Sequence, residues 1–365
     1  MRLPKMGRRI LLRETEMTEI KFTKHAIAEI EKCYSVCPTT LRGKKGFLVA
    51  TEKAGGCFFF DLEGKLVEQI WQDPGGVMSL VPVPGKADRF LATQEFYGPN
   101  DALNARIVLA YLADGNWQVK TVVELPFVHR FDVLVTPEKN YLIACTLKSG
   151  HAYKEDWTHP GKIFVAELPE DLLAEDTKLE LTVLAEGLTR NHGYYRCYEN
   201  GRPFSLVSAE NGVFKVTPPS PEQPAWKLEK LHDEASSDGT LIDLDGDGLP
   251  ELLTFAPFHG DILRIWRLVD GKYEIDYAHP EPVEFLHAIW SGQINGKPTI
   301  LLGNRKGKME LLALTWDHAA KKYHFQLLDS GRGPANVTYF EQDGKRLIVA
   351  TNRETNELAM YVLED

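Results

Sequence analysis

Much that would narrow this chain's class at a glance is absent. The five cysteines, at 33, 37, 57, 145 and 197, are an odd number, and the 33/37 pair is too widely spaced for CxxC. That excludes a disulfide framework and a zinc knuckle and leaves the thiols as small apolar fillers. No apolar run approaches the roughly 18 residues that would suggest a membrane helix, so no membrane partner is expected. Basic excess is missing too: the net charge is −10, which argues against nucleic acid as a partner, since tracking phosphates needs a basic face. The opening "MRLPKMGRRILLRETEMTEIKF" is basic, but its apolar centre "ILL" is far too short for a secretory signal. Helical periodicity is scarce, and only "PEDLLAEDTK" (169–178) reads as helix. These absences lead us to expect a cytoplasmic protein. Residues 1–20 should be a disordered extension, with Met17 a candidate natural start, and 21–365 a single domain. A hydrophobic content of 43% and 26% charged residues are globular values, sufficient to bury a core.

What the chain does have is a repeat. The stretch "EFLHAIWSGQINGKPTILLGNRKGKMELLAL" (284–314) opens a strand-like run with His287, turns at Asn295-Gly296 and runs on into a second apolar segment. The same pattern returns with first positions near 35, 78, 129, 192, 239, 287 and 335, separated by 43, 51, 63, 47, 48 and 48 residues. Seven units of this length, each with a turn-linked strand pair and two further alternating runs, predict an all-β, seven-bladed β-propeller of four-stranded blades. The first six units end in a fourth strand: "LVEQIW", "QVKTVV", "LELTVL", "WKLEKL", "YEIDYA" and "YHFQLL". The seventh lacks one. The unassigned alternating run "KHAIAEIEKC" (24–33) would supply it and close the ring from the N-terminal side.

In such a ring, inner-strand starts and second-to-third-strand loops share one mouth. His129, His192 and His287 each precede the opening of their second strand by 12 residues, and His259 in "APFHGDIL" sits in the corresponding loop of unit five. Each alone would read as a hydrogen-bonded interior imidazole. Four converging on one axis suit a divalent transition metal (Zn, Mn or Fe) with a position open to substrate. Loops at the same mouth add "TQEFYGPNDALNAR", with Gln94, Glu95 and Tyr97, and the long insertion "KSGHAYKEDWTHPG", with His151, Trp157 and His159, a candidate lid. Glu210, Asp261, Arg305 and Arg353 come from neighbouring loops.

The acidic stretch "DLDGDGLPE" spaces Asp243, Asp245, Asp247 and Glu251 as ligands of a hard cation, with Gly248 permitting the bend. Position twelve from Asp243 is Thr254, so it is no EF-hand. It resembles the "DxDGDGxxD/E" loops of FG-GAP and VCBS propeller repeats. It is expected either to hold a structural Ca or Mg on the face opposite the histidines or to be a plain Asp/Gly turn.

With "PFHGDIL" and then "HAIWSGQINGKPTILLGNRKG" following that loop, the chain resembles the propeller domain of the aldos-2-ulose dehydratase family, without its cupin domains. The resemblance implies a metal-dependent carbon–oxygen lyase acting by β-elimination on a small-molecule sugar: a keto-sugar such as 1,5-anhydrofructose, or a 3-keto-glycoside. The histidines at 129, 192, 259 and 287, or a subset, would hold the ion. Chemically, such a step needs a base for the α-proton, here His151 or Glu95, and a group to orient or protonate oxygens, here Arg305 or Tyr97. Trp157, His159, Glu210 and Arg353 are expected to contact substrate. Two other readings use the same fold: a non-catalytic FG-GAP-like propeller binding a protein or glycan, and an oligogalacturonate-type polysaccharide lyase, which would need a basic pocket.

Overall fold

A computed structural model describes residues 19–174, 177 and 179–364. It is all-β: seven separate four-stranded antiparallel sheets, with no helix among the described residues. The inner strands are Cys33–Leu41, Leu80–Pro82, Val128–Val135, Gly193–Glu199, Asp238–Ile242, Leu286–Ile294 and Asn336–Gln342. Each starts within two residues of the position read from the repeat. Consecutive blades touch around the ring, and the inner strand of blade seven meets that of blade one. The molecule is a seven-bladed β-propeller.

Closure also follows the sequence. Phe22–Glu29 pairs antiparallel with Glu357–Leu363 as the outer strand of blade seven, from Phe22 opposite Leu363 to Glu29 opposite Glu357. The strand starts earlier than expected, and Cys33 belongs instead to blade one. Most of the expected extension lies outside the described residues. Of its last two, Ile20 is buried and exchanges two 2.8 Å hydrogen bonds with the Gln326 amide.

Two expectations fail around residue 175. "PEDLLAEDTK" is not helical over its described residues, and the outer strand of blade three is Thr182–Leu188, not a strand from Leu179. The cause is packing. Leu172 and Leu179 are buried in the apolar layer around blades two and three, and the Asp171 carboxylate accepts a 3.0 Å bond from the Leu173 amide, which tightens a turn.

The core lies between blades. Successive residues of the second strands face the sheets on either side: Phe47, Leu48, Phe90 and Leu91 are fully enclosed. The Trp71 ring of blade one lies 5.9 Å from Phe90 of blade two. Each such side chain contributes about 1.5–3 kcal/mol by leaving water.

The hub is shaped by backbone irregularity. In blades one, three and six the inner strand begins with a β-bulge, and the residue left unpaired is Tyr34, His129 or His287. Two residues before each stands a left-handed residue: Lys32 (φ 50°), Phe127 (φ 63°) and Phe285 (φ 60°). Arg190 (φ 47°) holds the same relation to His192. This recurring turn, costly for side chains with a Cβ, swings the chain onto the axis. The bulge then re-aims one side chain out of the ladder.

Candidate metal centre

These turns gather the histidines. One nitrogen each from His192, His259 and His287 lies within 4.8 Å of the others, so the three could hold a metal ion. His129 lies beside them, its ring tilted against His192 at 4.4 Å, outside that mutually close set. His129, His192 and His287 are at most 3% exposed.

The Nδ1 atoms are anchored in a repeating manner. His129 Nδ1 donates to His192 O at 3.1 Å, and His287 Nδ1 to Ala335 O at 2.6 Å. His192 Nδ1 donates to Asp238 Oδ2 at 2.9 Å, with Ser237 O at 3.2 Å. A carbonyl or carboxylate accepts only, so each imidazole carries its proton on Nδ1 and presents the Nε2 lone pair. Burial holds the His129, His259 and His287 imidazoles well below the ordinary value. They are neutral at pH 7, the form that ligates metal.

The Nε2 atoms meet one another and a phenol. His192 Nε2 and His259 Nε2 are 3.1 Å apart, and Tyr34 OH donates to His287 Nε2 at 3.0 Å. Two ligands at about 2.05 Å on a tetrahedral ion stand about 3.3 Å apart. The His192–His259 spacing is close to that value, and an all-nitrogen set suits a transition metal. Tyr34 and Asp238 were not singled out from the sequence. Tyr34 occupies the histidine position of blade one, one residue before the start assigned there. Asp238 opens "DGTLID" directly before the repeat position.

Aromatic rings cover the cluster. Phe258 stacks on His259 at 3.9 Å, Phe285 lies 4.4 Å from His259, and Phe96 meets His129 edge-on. Trp157 from the insertion reaches Phe258 at 5.5 Å, so that part of the insertion does lie over the hub. It is anchored by Lys148, which is fully buried and donates to Asn100 Oδ1 and Asp156 O at 2.7 and 3.0 Å, with Nζ 4.3 Å from the Trp157 ring. Hydrogen bonds from Thr158 and Ala152 hold the Asp156 carboxyl well below its usual range.

The other residues named from the sequence are distributed less favourably. His151 stands edge-on to Phe127, and neither ring nitrogen has a partner. His159 is half-exposed, 3.6 Å from Asp156. Glu95 is paired with Arg106 at 2.9 Å, and Glu210 with Arg190. The Tyr97 carbonyl accepts from Lys53, Gln94 is buried, and Asp261 is exposed. Arg305 pairs with Glu354 at 2.7 Å, and Arg353 with Glu52 and Glu354. Arginines neutralised in this way form no basic pocket for uronates.

The acidic stretch links the first and second strands of blade five, at the end of the blade away from the histidines, as the spacing required. Carboxylates of Asp243, Asp245 and Asp247 come within 4.8 Å of one another. Backbone amides of Gly246, Gly248, Asp247 and Leu249 donate to them at 2.7–3.0 Å. Arg267 also lays Nη1 2.7 Å from Asp245, 3.2 Å from Asp247 and 3.4 Å from Glu251. Burial raises the Glu251 pKa to about 7. A guanidinium thus already lies where a hard cation would be drawn.

No family model matches the chain, and no curated protein matches it. Among solved structures it is similar to the β-propeller domain of Myceliophteria thermophila Cps50 (Swd1), with a TM-score of 0.57 and 14% identity over 94% of this chain and 100% of that one. It is also similar to the Dos1 propeller (TM-score 0.56, 8% identity, 90% and 78% covered). A third likeness is to a 6-phosphogluconolactonase candidate from Bacteroides uniformis (TM-score 0.55, 14% identity, 92% and 95% covered). At such identities the likeness establishes the β-propeller fold.

Proposed function

We propose that the protein is a metal-dependent carbon–oxygen lyase that performs β-elimination on keto-sugars or 3-keto-glycosides. The observation that carries this reading is the meeting of His192, His259 and His287 on one axis, with the Nε2 lone pairs of His192 and His287 turned there by anchored Nδ1 protons. Such a site is built to hold a transition metal. When bound, the ion would draw electron density from a substrate ketone and so acidify the neighbouring C–H. The sugar class rests on the family resemblance.

Within this reading His129 is the base. It lies in the cluster but outside the ligating set, its Nδ1 proton is committed to His192 O, and burial keeps it neutral. His129 Nε2 takes the α-proton, and the C–H electron pair becomes the C=C bond. The β C–O bond breaks, and the departing oxygen receives the proton back. The rings of Phe258, Phe285 and Trp157 exclude bulk water on the insertion side.

Elemental analysis tests the centre. Purified protein should carry close to one transition metal per chain, and His192→Ala combined with His287→Ala should remove it. On a 3-keto-glucoside, His129→Ala should lower kcat by about 10²–10⁴-fold with metal content unchanged. His151→Ala should have little effect. If His151→Ala removes activity and His129→Ala does not, the base is on the insertion. A metal-free protein that binds a glycan or protein would instead be the non-catalytic propeller.

A further inference from the structure

The axis contains a second feature that the metal centre does not use. A cavity of about 240 Å³ is lined by residues of all seven inner strands, and His287 and Asp238 are among them. Exposure along the strands shows its direction. At the histidine level Tyr34, His192 and His287 are 1–2% exposed. A few residues further along the inner strands, Tyr194, Tyr195, Ile289, Trp290 and, in blade seven, Thr338 are all half-buried. The channel is therefore closed by the cluster on the insertion side and wet on the opposite side, the face of the first-to-second-strand turns.

Its lining is polar without a net sign. Asp132 is held bidentately by Arg196 and accepts from Tyr194 OH at 2.9 Å. Arg130 donates to Met78 O, and Asp238 is committed to His192. The two guanidiniums, Arg130 and Arg196, and the two carboxylates, Asp132 and Asp238, leave the channel with no net charge to draw an ionic ligand. A flat ring and hydroxyls remain: Trp290, Thr338, and Ser35, which is 4% exposed and whose Oγ has no partner, while the Tyr195 hydroxyl is committed to the Ser291 backbone and Asn336 Nδ2 to Tyr34 O. Carbohydrate sites use such surfaces, with a ring to cover a pyranose face and hydroxyls to meet its own. The volume falls below the roughly 300–1,000 Å³ of drug-sized sites, which suits one sugar ring and not an oligosaccharide.

We propose that this channel is the binding chamber for a small neutral polyhydroxy ligand, entering from the turn face and placing one end against His287. The identification of that ligand as a keto-sugar rests on the lyase reading; the chamber itself does not. Substrate then approaches the cluster from the side opposite the insertion, and the insertion acts as a fixed cap.

Calorimetric titration of the protein as purified, with a methyl 3-keto-glucoside and with galacturonate, tests this. The neutral sugar should bind and quench Trp290 emission, a change lost in Trp290→Phe, and galacturonate should not bind. Thr338→Trp, which fills the channel, should weaken binding at least tenfold with metal content unchanged. Ser35→Ala should weaken it about fivefold, the value of one neutral hydrogen bond. The chamber is overturned if both variants bind the sugar at full strength, if galacturonate is preferred, or if no neutral sugar binds. If Thr338→Trp does not fold, Ser35→Ala decides. Sugar binding that these variants weaken, in a protein without metal, refutes the lyase and leaves the chamber standing. Bound metal, together with sugar binding that the variants leave unchanged, refutes the chamber and leaves the lyase standing.

Discussion

At the scale of single residues, what separates three of the hub imidazoles is the acceptor behind each ring. His129 and His287 lean on backbone carbonyls, whereas His192 leans on the carboxylate of Asp238 at 2.9 Å. A carboxylate makes its imidazole the more basic donor, and replacing such a partner typically costs 10- to 100-fold in metal affinity. Asp238→Asn should show a loss of that size in competition with a chelating dye, with the fold intact by circular dichroism. Burial has a separate consequence for pH. His129, His259 and His287 are held well below the ordinary 6.5 in the folded chain. Above that pH neither state is protonated at these sites. Below it the unfolded chain takes up protons that the folded chain refuses, so stability falls with pH until the folded pKa is reached. The slope is about 1.4 kcal/mol per pH unit for each imidazole. Chelator-treated protein should therefore lose Tm steeply between pH 6.5 and 5, and His129→Phe should flatten that loss. Three of the histidines were legible because they recur at one repeat position, and His259 because its loop opens at the same mouth. Tyr34 was not, since a tyrosine at that position matches no ligand pattern and the bulge that aims it leaves no trace in composition.

At the scale of elements, the acidic turn was correctly placed between two strands, but its partner was out of reach of the sequence. Arg267 lies on the third strand of blade five, and only sheet pairing brings it over Asp245, Asp247 and Glu251. Removing it leaves carboxylates gathered with no cation among them. Arg267→Gln should destabilise by about 1–3 kcal/mol, typical of lost charged hydrogen bonds, and calcium should then raise Tm. Wild-type Tm should barely respond to calcium or to a chelator. Differential scanning calorimetry with and without the ion checks both effects. The stretch at 169–178 failed as a helix for a related reason. Its composition, rich in Leu, Ala, Glu and Asp, reads as helix, and nothing local reveals that the gap beside blades two and three will claim Leu172.

At the scale of the molecule, closure was legible, because six complete units and one short of a strand leave a single use for an alternating run at the other end. The strand Phe22–Glu29 shields the edge of Glu357–Leu363, and an open edge invites pairing with another chain. Deleting residues 19–29 should give a species that self-associates in light scattering and unfolds over a broader range. The axial channel was not legible. It exists only as a gap among seven strands, and no single stretch encodes a gap.

The left-handed residue two places ahead of each hub side chain has one more consequence. Because Tyr34, His129, His192 and His287 are delivered by the same short backbone figure, they are interchangeable parts in a common socket. A histidine could stand in blade one, or a tyrosine in blade three, without rebuilding either blade. Related chains could therefore carry quite different chemistry at the hub while their scaffolds superpose, and comparing those few sockets would sort them better than overall sequence likeness.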